Sequence, residues 1–465
     1  MNSAVLEQLK AITGPKGWTT DPDVLQPHLT EWRNVVHGRT PVMLSPDSTE
    51  QVAEIVKVCA ANGIPLVPQG GNTGMCAAAV PDDSGRQIIL SLSRLNTLRS
   101  VDADDYSLVA EAGCILANVQ DAATSVDRLF ALSLGAEGSC QIGGNIATNA
   151  GGINVIRYGT ARAQVLGLEV VLHDGRVWNG LRSLRKNTAG YDLKQLFIGS
   201  EGTLGIITAA CLRLFPLPGE STVALLGLNR AEDATSLLGV LREQMADRIQ
   251  AFELIADRPM RWVEKHISGA RKPFSDRYPW YVLIETTIGG DTGLLQDSLE
   301  RALDAKLIAD AVIAKSDNEA ESLWRLRHSI SEAEKHEGAC LKHDIAVPIG
   351  KMATFLQQGD ALLAEICPDA RLIAFGHVGD GNLHYNVAQP SGADAESFLA
   401  SGGAVSAAIY DLVMAMGGSI SAEHGIGVLK RAWFHQYCDP VELELMQTLK
   451  KTLDPCNILN PGKVI

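Results

Sequence analysis

The sequence predicts an α+β protein with two main domains and a small helical segment at the C-terminus. Its 465 residues exceed what one hydrophobic core usually organises. The first half reads as short strands separated by glycine, aspartate and asparagine turns. After the proline-containing segment 214–220, strands alternate with helical patterns, which is typical of an antiparallel sheet with helices on one face. We therefore expect domains at residues 1–216 and 217–401, followed by helices at 402–465 that return to the first domain.

The composition excludes several classes of protein. Asp and Glu number 54 against 40 Lys and Arg, a net charge of −14, which would repel a nucleic acid backbone. The nine cysteines are scattered and form no C-x-x-C, so a disulfide framework and a thiolate zinc cluster are both disfavoured. The N-terminus has no basic region and no apolar core, unlike a secretory signal. We expect a cytoplasmic protein.

One apolar stretch, residues 402–420, must be weighed as a membrane span. It is interrupted by Asp411 and is rich in alanine and glycine, so a core helix explains it better. We expect no membrane span.

The clearest local elements lie at residues 48–69. Ser48 or Thr49 can cap a helix whose apolar positions fall on one face and which ends at Asn62-Gly63. A short buried strand, IPLVP, then leads directly into the sequence QGGNTG.

Three segments concentrate glycine and small polar residues: 68–74, 135–152 and 197–205. Glycine lets the backbone approach a ligand and lets successive N–H groups converge on an anion, so a strand entering QGGNTG is a plausible pyrophosphate cradle. For each segment alone a tight turn is the better explanation, because glycine loops are common, but three such segments within one domain favour a ligand site. None fits the G-x-G-x-x-G nicotinamide fingerprint or a P-loop, so those nucleotide sites are not supported.

A histidine-rich motif at residues 376–386 carries the most specific chemical signal. Two strands flank the reversal GDGN, and His384 and Asn386 lie two apart on the second strand, on the same side. His377 stands at the mouth of the turn, and Glu423-His424 follows later. Imidazoles with a carboxylate suit an open zinc, manganese or iron site. The alternative is that both histidines are satisfied within a turn and a sheet.

Basic side chains that could bind the carboxylate of an acidic substrate lie between residues 323 and 342. Arg327 and Ser331 are four apart in a helical pattern and share a face, whereas Arg325 points nearly opposite and reads as a solvated charge. Lys342 lies in a probable strand.

The motifs PQGGNTGM, GSCQIGGNIATNAGG, RYG, GLEVVLHDG and FIGSEGTLGIIT resemble the FAD-binding domain of the vanillyl-alcohol-oxidase/PCMH flavoprotein superfamily, across most of residues 40–215. The later H-x-G-D-G-N-x-H motif with E-H-G resembles the D-2-hydroxyglutarate and D-lactate dehydrogenase branch of that superfamily. The resemblance implies a PCMH-type FAD-binding domain, an antiparallel-sheet substrate cap and a C-terminal segment that returns to the flavin.

The resemblance also implies roles for individual residues. The residues implied to line FAD are Pro68, Gly70, Gly71, Asn72, Thr73, Gly74, Glu137, Gly138, Ser139, Gly143, Thr148, Asn149, Gly152 and Ile206. The implied metal ligands are His377, His384 and Glu423, with His424 as general base; the implied substrate pocket is Arg327, Ser331, Lys342 and Asn386. Residues 68–75 contain no histidine or cysteine, so we expect non-covalent FAD, with Cys140 as the one conceivable tether.

The implied activity is metal-assisted oxidation of a D-2-hydroxy acid, with hydride transfer to flavin N5. Two cations in the pocket favour D-2-hydroxyglutarate, giving 2-oxoglutarate, or D-malate over D-lactate. Zn²⁺ is the expected metal, with Mn²⁺ or Fe²⁺ as alternatives, and the implied electron acceptor is an electron-transfer flavoprotein or a quinone. The resemblance also suggests a homodimer. The alternatives are a D-lactate dehydrogenase, a glycolate oxidase flavin subunit, non-redox flavin chemistry, or a non-catalytic metal- or flavin-binding protein.

Overall fold

A computed structural model describes residues 2–287 and 292–465. The strands within these residues are β1 (Trp18–Thr19), β2 (Met43–Leu44), β3 (Leu66–Gln69), β4 (Ile88–Ser91), β5 (Leu98–Asp102), β6 (Ser107–Glu111), β7 (Arg128–Leu129), β8 (Val165–Val171), β9 (Val177–Asn179), β10 (Ile206–Arg213), β11 (Phe215–Pro216), β12 (Ser221–Leu228), β13 (Ile249–Ala256), β14 (Trp280–Thr287), β15 (Asp310–Ile313), β16 (Cys340–Leu341), β17 (Asp344–Ala346), β18 (Arg371–Gly376) and β19 (Asn382–Ala388).

The helices are α1 (Ser3–Thr13), α2 (Pro22–Leu25), α3 (Thr49–Asn62), α4 (Leu116–Thr124), α5 (Ile142–Ala147), α6 (Val155–Tyr158), α7 (Ala161–Gln164), α8 (Lys194–Phe197), α9 (Ala231–Met245), α10 (Asp257–His266), α11 (Thr292–Asp304), α12 (Asp317–His328), α13 (Ile330–Lys335), α14 (Met352–Ile366), α15 (Ala395–Ala415), α16 (Arg431–Tyr437) and α17 (Pro440–Leu453). Short 3-10 helices lie at Gln26–His28, Ala246–Arg248 and Ile349–Lys351.

The chain folds into two compact units. The first unit comprises Met1–Gly151, Gly159–Leu217 and Glu423–Ile465, and the second comprises Gly152–Tyr158 and Pro218–Ala422. The second unit ends at residue 422 in the structure, whereas the sequence-based boundary lies at 401/402. The reason is that α15 continues to residue 415 and packs against α14 and β16, so it belongs to the second unit.

The first unit contains two larger sheets and a two-stranded sheet formed by β7 and β11. One sheet has the order β1-β2-β4-β3, with parallel pairing of β2 and β3 to β4. The other is antiparallel, in the order β5-β6-β10-β8-β9. Helix α3 packs its apolar face into the core of the first sheet, where Val52, Ile55 and Val56 are fully buried.

The ends of α3 match the capping residues that the sequence predicts. The Ser48 hydroxyl accepts the N–H of Gln51 at 3.2 Å and satisfies one donor of the first turn. Gly63 ends the helix with φ 61°, a left-handed conformation that costs glycine little. Strand β3 follows and delivers the chain to Gly70.

The second unit is built on one antiparallel sheet. Its order is β15-β12-β14-β13-β18-β19-β16, and β17 also pairs with β19. Helices α10, α12 and α13 share a core with one face of the sheet, while α9 contacts β12 and β13 without joining that core. Both faces are covered, so the expectation of helices on one face is wrong. The cause is visible in β12 and β14, which are apolar in continuous runs rather than in alternation.

Helix α15 is, among the helices that the structure describes, the one long and apolar enough to cross a bilayer. Its contacts with α14 and β16 fit the core helix predicted for this stretch. Length and composition alone do not distinguish a span from such a core helix.

Candidate active site

The three glycine-rich segments meet within the first unit. The first segment touches the second at Gly71, where an added Cβ would lie 2.0 Å from the carbonyl oxygen of Ser139. The third segment joins the second through a backbone hydrogen bond of 3.1 Å from Gly199 to Ile146. Only glycine permits the approach at position 71. The glycine cradle is therefore a single surface, formed by residues 68–74, 135–151 and 197–205.

Several predicted flavin-lining side chains attach the cradle to neighbouring segments of the first unit. Asn72 adopts φ 51° and donates its amide to the carbonyls of Pro27 and Thr30 at 3.0 and 2.9 Å. Glu137 accepts from the Ser133 hydroxyl at 2.5 Å. Asn149 accepts the N–H of Arg162 at 3.0 Å. These side chains fix the loop shape, which leaves backbone N–H groups as the natural partners of a pyrophosphate.

The remaining predicted flavin residues fall into three environments. Positions where an added Cβ would meet no atom within 4 Å are Gly74 and Gly138. Residues engaged in packing or backbone pairing are Pro68, Gly70, Gly143, Thr148 and Ile206. Thr73 is half-buried, Ser139 is exposed, and Gly152 belongs to the second unit. Because the Ile206 side chain lies in the core, only its backbone could contact a cofactor.

One structural observation, independent of the sequence motifs, indicates that the cradle fits FAD. Within the described residues, two buried amide oxygens in the second glycine-rich segment, Gln141 Oε1 and Asn145 Oδ1, have no hydrogen-bond partner. An unpaired buried acceptor costs free energy, and a bound flavin offers N–H and hydroxyl donors. Gln141 Oε1 lies next to Gly70, 3.4 Å from the position of an added Cβ. Burial raises the pKa of the Cys140 thiol, which disfavours the thiolate that a covalent tether needs.

The C-terminal segment brings Glu423 and His424 into the first unit. Glu201, in the third glycine-rich segment, accepts the backbone N–H groups of Ile426 and Gly427 at 2.7 and 2.8 Å. Burial raises the pKa of Glu201, although these two N–H groups oppose the shift. The loop of residues 423–427 is thereby attached to the cradle. Glu423 Oε1 lies 3.9 Å from His424 Nε2.

The histidine motif forms a β-hairpin in the second unit, as the sequence predicts. Strands β18 and β19 pair antiparallel with Phe375 opposite His384. The rings of His377 and His384 have centroids 5.9 Å apart, and His384 also lies against Phe375 with centroids 4.8 Å apart. Two imidazoles at this separation can turn nitrogens toward one ion.

Glu253, which sequence reasoning missed, joins two of the predicted residues. It lies on β13 with no exposed surface; it accepts from His377 Nδ1 at 2.5 Å and from Arg327 Nε at 2.6 Å. Burial alone would raise the pKa of Glu253, but His377 and Arg327 hold it at about 2. The available signal was an acidic residue inside the apolar strand AFELIA, because a buried charge requires a partner.

A second buried glutamate that sequence reasoning missed, Glu334, contacts two more of the predicted substrate-binding residues. Glu334 on α13 binds the Lys342 ammonium and accepts the Asn386 amide at 3.4 Å. Ser331 is exposed on the same helix. The prediction that Arg327 and Ser331 share one helical face assumed a continuous helix, whereas the structure breaks it at Ser329, between α12 and α13. The two residues differ accordingly: Arg327 is buried and Ser331 is not.

Asp344 is a further candidate ligand that the sequence reading did not single out. It is 1% exposed, accepts the Asn382 amide at 2.9 Å and lies 3.9 Å from His384 Nδ1. Its second oxygen accepts the N–H of Ala422 at 3.2 Å. Asp344 and His384 thus bring a carboxylate and an imidazole together in the second unit, and these donor types suit a divalent metal.

An FAD-type glycine cradle, together with a sheet unit that carries paired histidines and the cations Arg327 and Lys342, is the arrangement of a flavin-dependent oxidoreductase. Residues 40–180 match the model of the FAD binding domain, and residues 217–464 match that of the C-terminal domain of FAD linked oxidases. The chain belongs to this family of FAD-linked oxidases.

Relatives across kingdoms share most of the chain. It is 41% identical over 450 residues to the mitochondrial D-2-hydroxyglutarate dehydrogenase of Bos taurus, covering 96% of this chain and 80% of that protein. The mitochondrial enzyme of the same name from Arabidopsis thaliana is 37% identical, with 100% and 82% covered. The D-2-hydroxyglutarate dehydrogenase of Xanthomonas citri pv. viticola is 38% identical, with 96% and 93% covered.

Solved structures confirm the fold. p-Cresol methylhydroxylase superposes with a TM-score of 0.75 at 16% identity, covering 99% of this chain and 96% of that chain. Alkyldihydroxyacetonephosphate synthase gives a TM-score of 0.73 at 17% identity, with 99% and 85% covered. At such identities the likeness concerns the fold and not the reaction.

Proposed function

We propose that this protein is an FAD-dependent dehydrogenase that oxidises D-2-hydroxyglutarate to 2-oxoglutarate. The observation that carries the proposal is 35–41% identity, over nearly the whole chain, to curated enzymes named for that substrate. FAD, when bound, supplies the electron sink for the hydride that leaves C2 of the substrate. D-Malate, a shorter dicarboxylate, is a secondary substrate of the same pocket.

His424 accepts the proton of the 2-hydroxyl group in this proposal. A neutral imidazole suits that role near neutral pH. The anchor on Glu201 supports it, because hydrogen bonds to Ile426 and Gly427 restrict the loop that carries His424. Holding a base in place lowers the entropy cost of the transition state.

A divalent metal is proposed to bind His377, His384 and Glu423, with Asp344 as a further candidate. When bound, such an ion polarises the 2-hydroxyl and carboxylate oxygens of the substrate and makes the hydroxyl proton more acidic. The histidine-rich donor set favours Zn²⁺ over Mg²⁺ or Ca²⁺, while Mn²⁺ and Fe²⁺ stay alternatives.

Arg327 and Lys342 are proposed to bind the distal carboxylate, assisted by Ser331 and Asn386. Arg327 uses Nε for Glu253, and its Cζ lies 4.8 Å from the centroid of the Phe375 ring. The part of the chain that the structure describes offers no hydrogen-bond partner to its two terminal nitrogens. A guanidinium held in this way presents a fork that suits a carboxylate.

Acceptor, assembly and location belong to the same proposal. We expect an electron-transfer flavoprotein or a quinone to reoxidise the flavin, and a homodimer in solution. The animal and plant relatives are named mitochondrial, whereas the bacterial relative from Xanthomonas has no compartment in its name. A cytoplasmic location stays a prediction.

Anaerobic reduction of the bound flavin tests the proposal directly. The purified protein, loaded with FAD and zinc, is mixed with D- and L-2-hydroxyglutarate, D-malate and D-lactate while the visible flavin absorbance is followed. Bleaching that is fastest with D-2-hydroxyglutarate and is lost with a chelator supports cofactor, stereochemistry and metal together. Fastest bleaching by D-lactate or glycolate would instead assign the alternative activities, and an unchanged flavin with every acid would refute the reaction.

A further inference from the structure

We propose that Glu253 is a positioning residue that couples the metal-binding histidine His377 to the carboxylate-binding guanidinium of Arg327. This inference rests on the proposed function, since it concerns the same site. It connects the residue that would bind the metal near the oxidised end of the substrate, His377, with the residue that would bind the distal carboxylate, Arg327.

The place of Glu253 in the sheet makes the link rigid. Its neighbours Leu254 and Ile255 pair with Gly376 and Phe375 of β18, immediately before His377. Glu253 itself is 0% exposed. A carboxylate held between a central strand and two charged or polar partners has little freedom to rotate, so its partners are held as well.

The contact with His377 selects one imidazole tautomer. A carboxylate oxygen accepts, so the contact between Oε1 and Nδ1 places a hydrogen on Nδ1, and in the neutral ring the lone pair is then on Nε2. A carboxylate behind a ligand histidine orients its ring and makes it a stronger ligand. His377 is therefore set to offer Nε2 to a metal.

The contact with Arg327 fixes the guanidinium plane. The second oxygen, Oε2, receives Nε, while the ring of Phe375 supports the guanidinium with 4.8 Å between Cζ and the ring centroid. With Nε bound to Glu253, the guanidinium edge formed by its two terminal nitrogens is the fork that suits a second carboxylate. The carboxylate also compensates the buried charge of Arg327 before substrate arrives.

A neutral amide cannot serve both partners. Glutamine has one oxygen that accepts and one nitrogen that donates, whereas His377 Nδ1–H and Arg327 Nε–H both donate. In Glu253→Gln, either Arg327 loses its partner, or His377 changes tautomer and moves its hydrogen to Nε2. Either change affects a binding step and not only stability.

The test compares Glu253→Gln with Glu285→Gln as a matched control. Glu285 is a largely buried glutamate on the adjacent strand β14, and it accepts Trp324 Nε1 from α12 at 2.8 Å, a bond that glutamine can keep. Zinc affinity of the FAD-loaded proteins is measured by competition with a chromophoric chelator. FAD content, melting temperature and the substrate concentration for half-maximal flavin reduction are measured on the same samples.

The inference requires Glu253→Gln to weaken zinc binding by about 10- to 100-fold. It also requires a rise of about tenfold or more in the half-saturating D-2-hydroxyglutarate concentration, as for the loss of a charge-assisted bond. FAD content should match that of Glu285→Gln. Unchanged zinc affinity, equal effects in the two variants, or a wild-type protein that binds no zinc would overturn it.

A second variant covers the case in which Glu253→Gln fails to fold. Glu253→Asp keeps the charge but withdraws the oxygens by one methylene, so zinc affinity should fall by less than in the glutamine variant while folding is retained. Failure of the proposed function is distinguishable, because it appears as a wild-type flavin that no D-2-hydroxy acid reduces, whatever the zinc affinities are.

Discussion

Glu201 receives the backbone N–H of Ile426 at 2.7 Å, although 225 residues separate the two along the chain. The same carboxylate receives Gly427, and an added Cβ at Gly425 would lie 2.6 Å from Glu201 Oε1. One buried side chain therefore fixes the loop that carries the proposed base relative to the glycine cradle within the first unit.

Replacing Glu201 by glutamine should slow flavin reduction without releasing FAD. The amide keeps one acceptor and sets a donor against the second N–H, so we expect a loss of about 1.5–3 kcal/mol in loop stability. Stopped-flow reduction rates and flavin content measure the two effects. Glu444→Gln, an exposed change in the same unit, is the control. A normal rate in Glu201→Gln would show that the anchor is dispensable.

Alanine at Gly71 and at Gly74 should act differently on the cradle. At Gly71 the new Cβ would meet the Ser139 carbonyl, so both the melting temperature of the apoprotein and FAD binding should fall. At Gly74 the protein leaves open space, so only FAD affinity should fall, through contact with the cofactor. Calorimetry of apoprotein and FAD titration separate the cases. Unchanged FAD affinity in Gly74→Ala would remove this residue from the cofactor site.

Removing the imidazole of His424 should impair chemistry more than binding. We expect His424→Ala to lower the rate of flavin reduction by about 10²- to 10⁴-fold, the usual contribution of a general base. Substrate affinity, read from the concentration dependence of that rate, should change little. His336→Ala, an exposed histidine of the second unit, serves as the control. Equal small effects in both would assign proton transfer to another group.

Arg327→Ala should discriminate between dicarboxylate and monocarboxylate substrates. The rate of flavin reduction by D-2-hydroxyglutarate should fall about tenfold or more. The rate with D-lactate, which has no distal carboxylate, should change little. Arg325→Ala is a close control, because Arg325 is exposed and donates to the Ser268 carbonyl at 2.7 Å. Equal losses with both acids would instead place Arg327 on the carboxylate that all 2-hydroxy acids share.

Acid should remove a stabilising contribution from Glu337. Partial burial would raise the pKa of Glu337, but hydrogen bonds from His266, Lys265 and Arg371 lower it from 4.5 to about 2. The contribution is complete above pH 4.5 and is lost as pH falls toward 2, because the unfolded chain takes up the proton first.

Urea unfolding of Glu337→Gln measures this contribution. At pH 7 the variant should be less stable by about 1 kcal/mol, since exposed Lys265 lets solvent screen part of the network. The difference should shrink below pH 4.5. Glu332→Gln, exposed in the same unit, should show no such dependence. A difference that stays constant down to pH 3 would contradict the assigned cause.

Sequence reasoning succeeded where the signal is local. Ser48, Gly63 and the apolar spacing between them define α3 within one segment, and the GDGN reversal defines the hairpin of β18 and β19. The α+β class and the FAD-binding family follow from such segments, and the comparisons confirm both. Assignments of individual site residues stay predictions.

The partners of the site residues could not be predicted in this way. Glu253 meets Arg327 across 74 positions, and Glu201 meets Ile426 across 225. Such pairs leave no periodic pattern, because they depend on which strands become neighbours in the sheet. The break at Ser329 was missed for a related reason: the sequence has no proline or glycine there to announce it.

The discontinuity of the first unit has a consequence for biosynthesis. Leu66 forms a parallel bridge with Leu459, and Asn460 donates its amide to the Glu201 carbonyl, so residues 459–460 are part of the first unit. During translation, the first unit therefore cannot complete its folding until residues 218–422 have been synthesised. A premature stop codon that removes only residues 456–465 should abolish flavin retention, even though no residue of the cradle is lost.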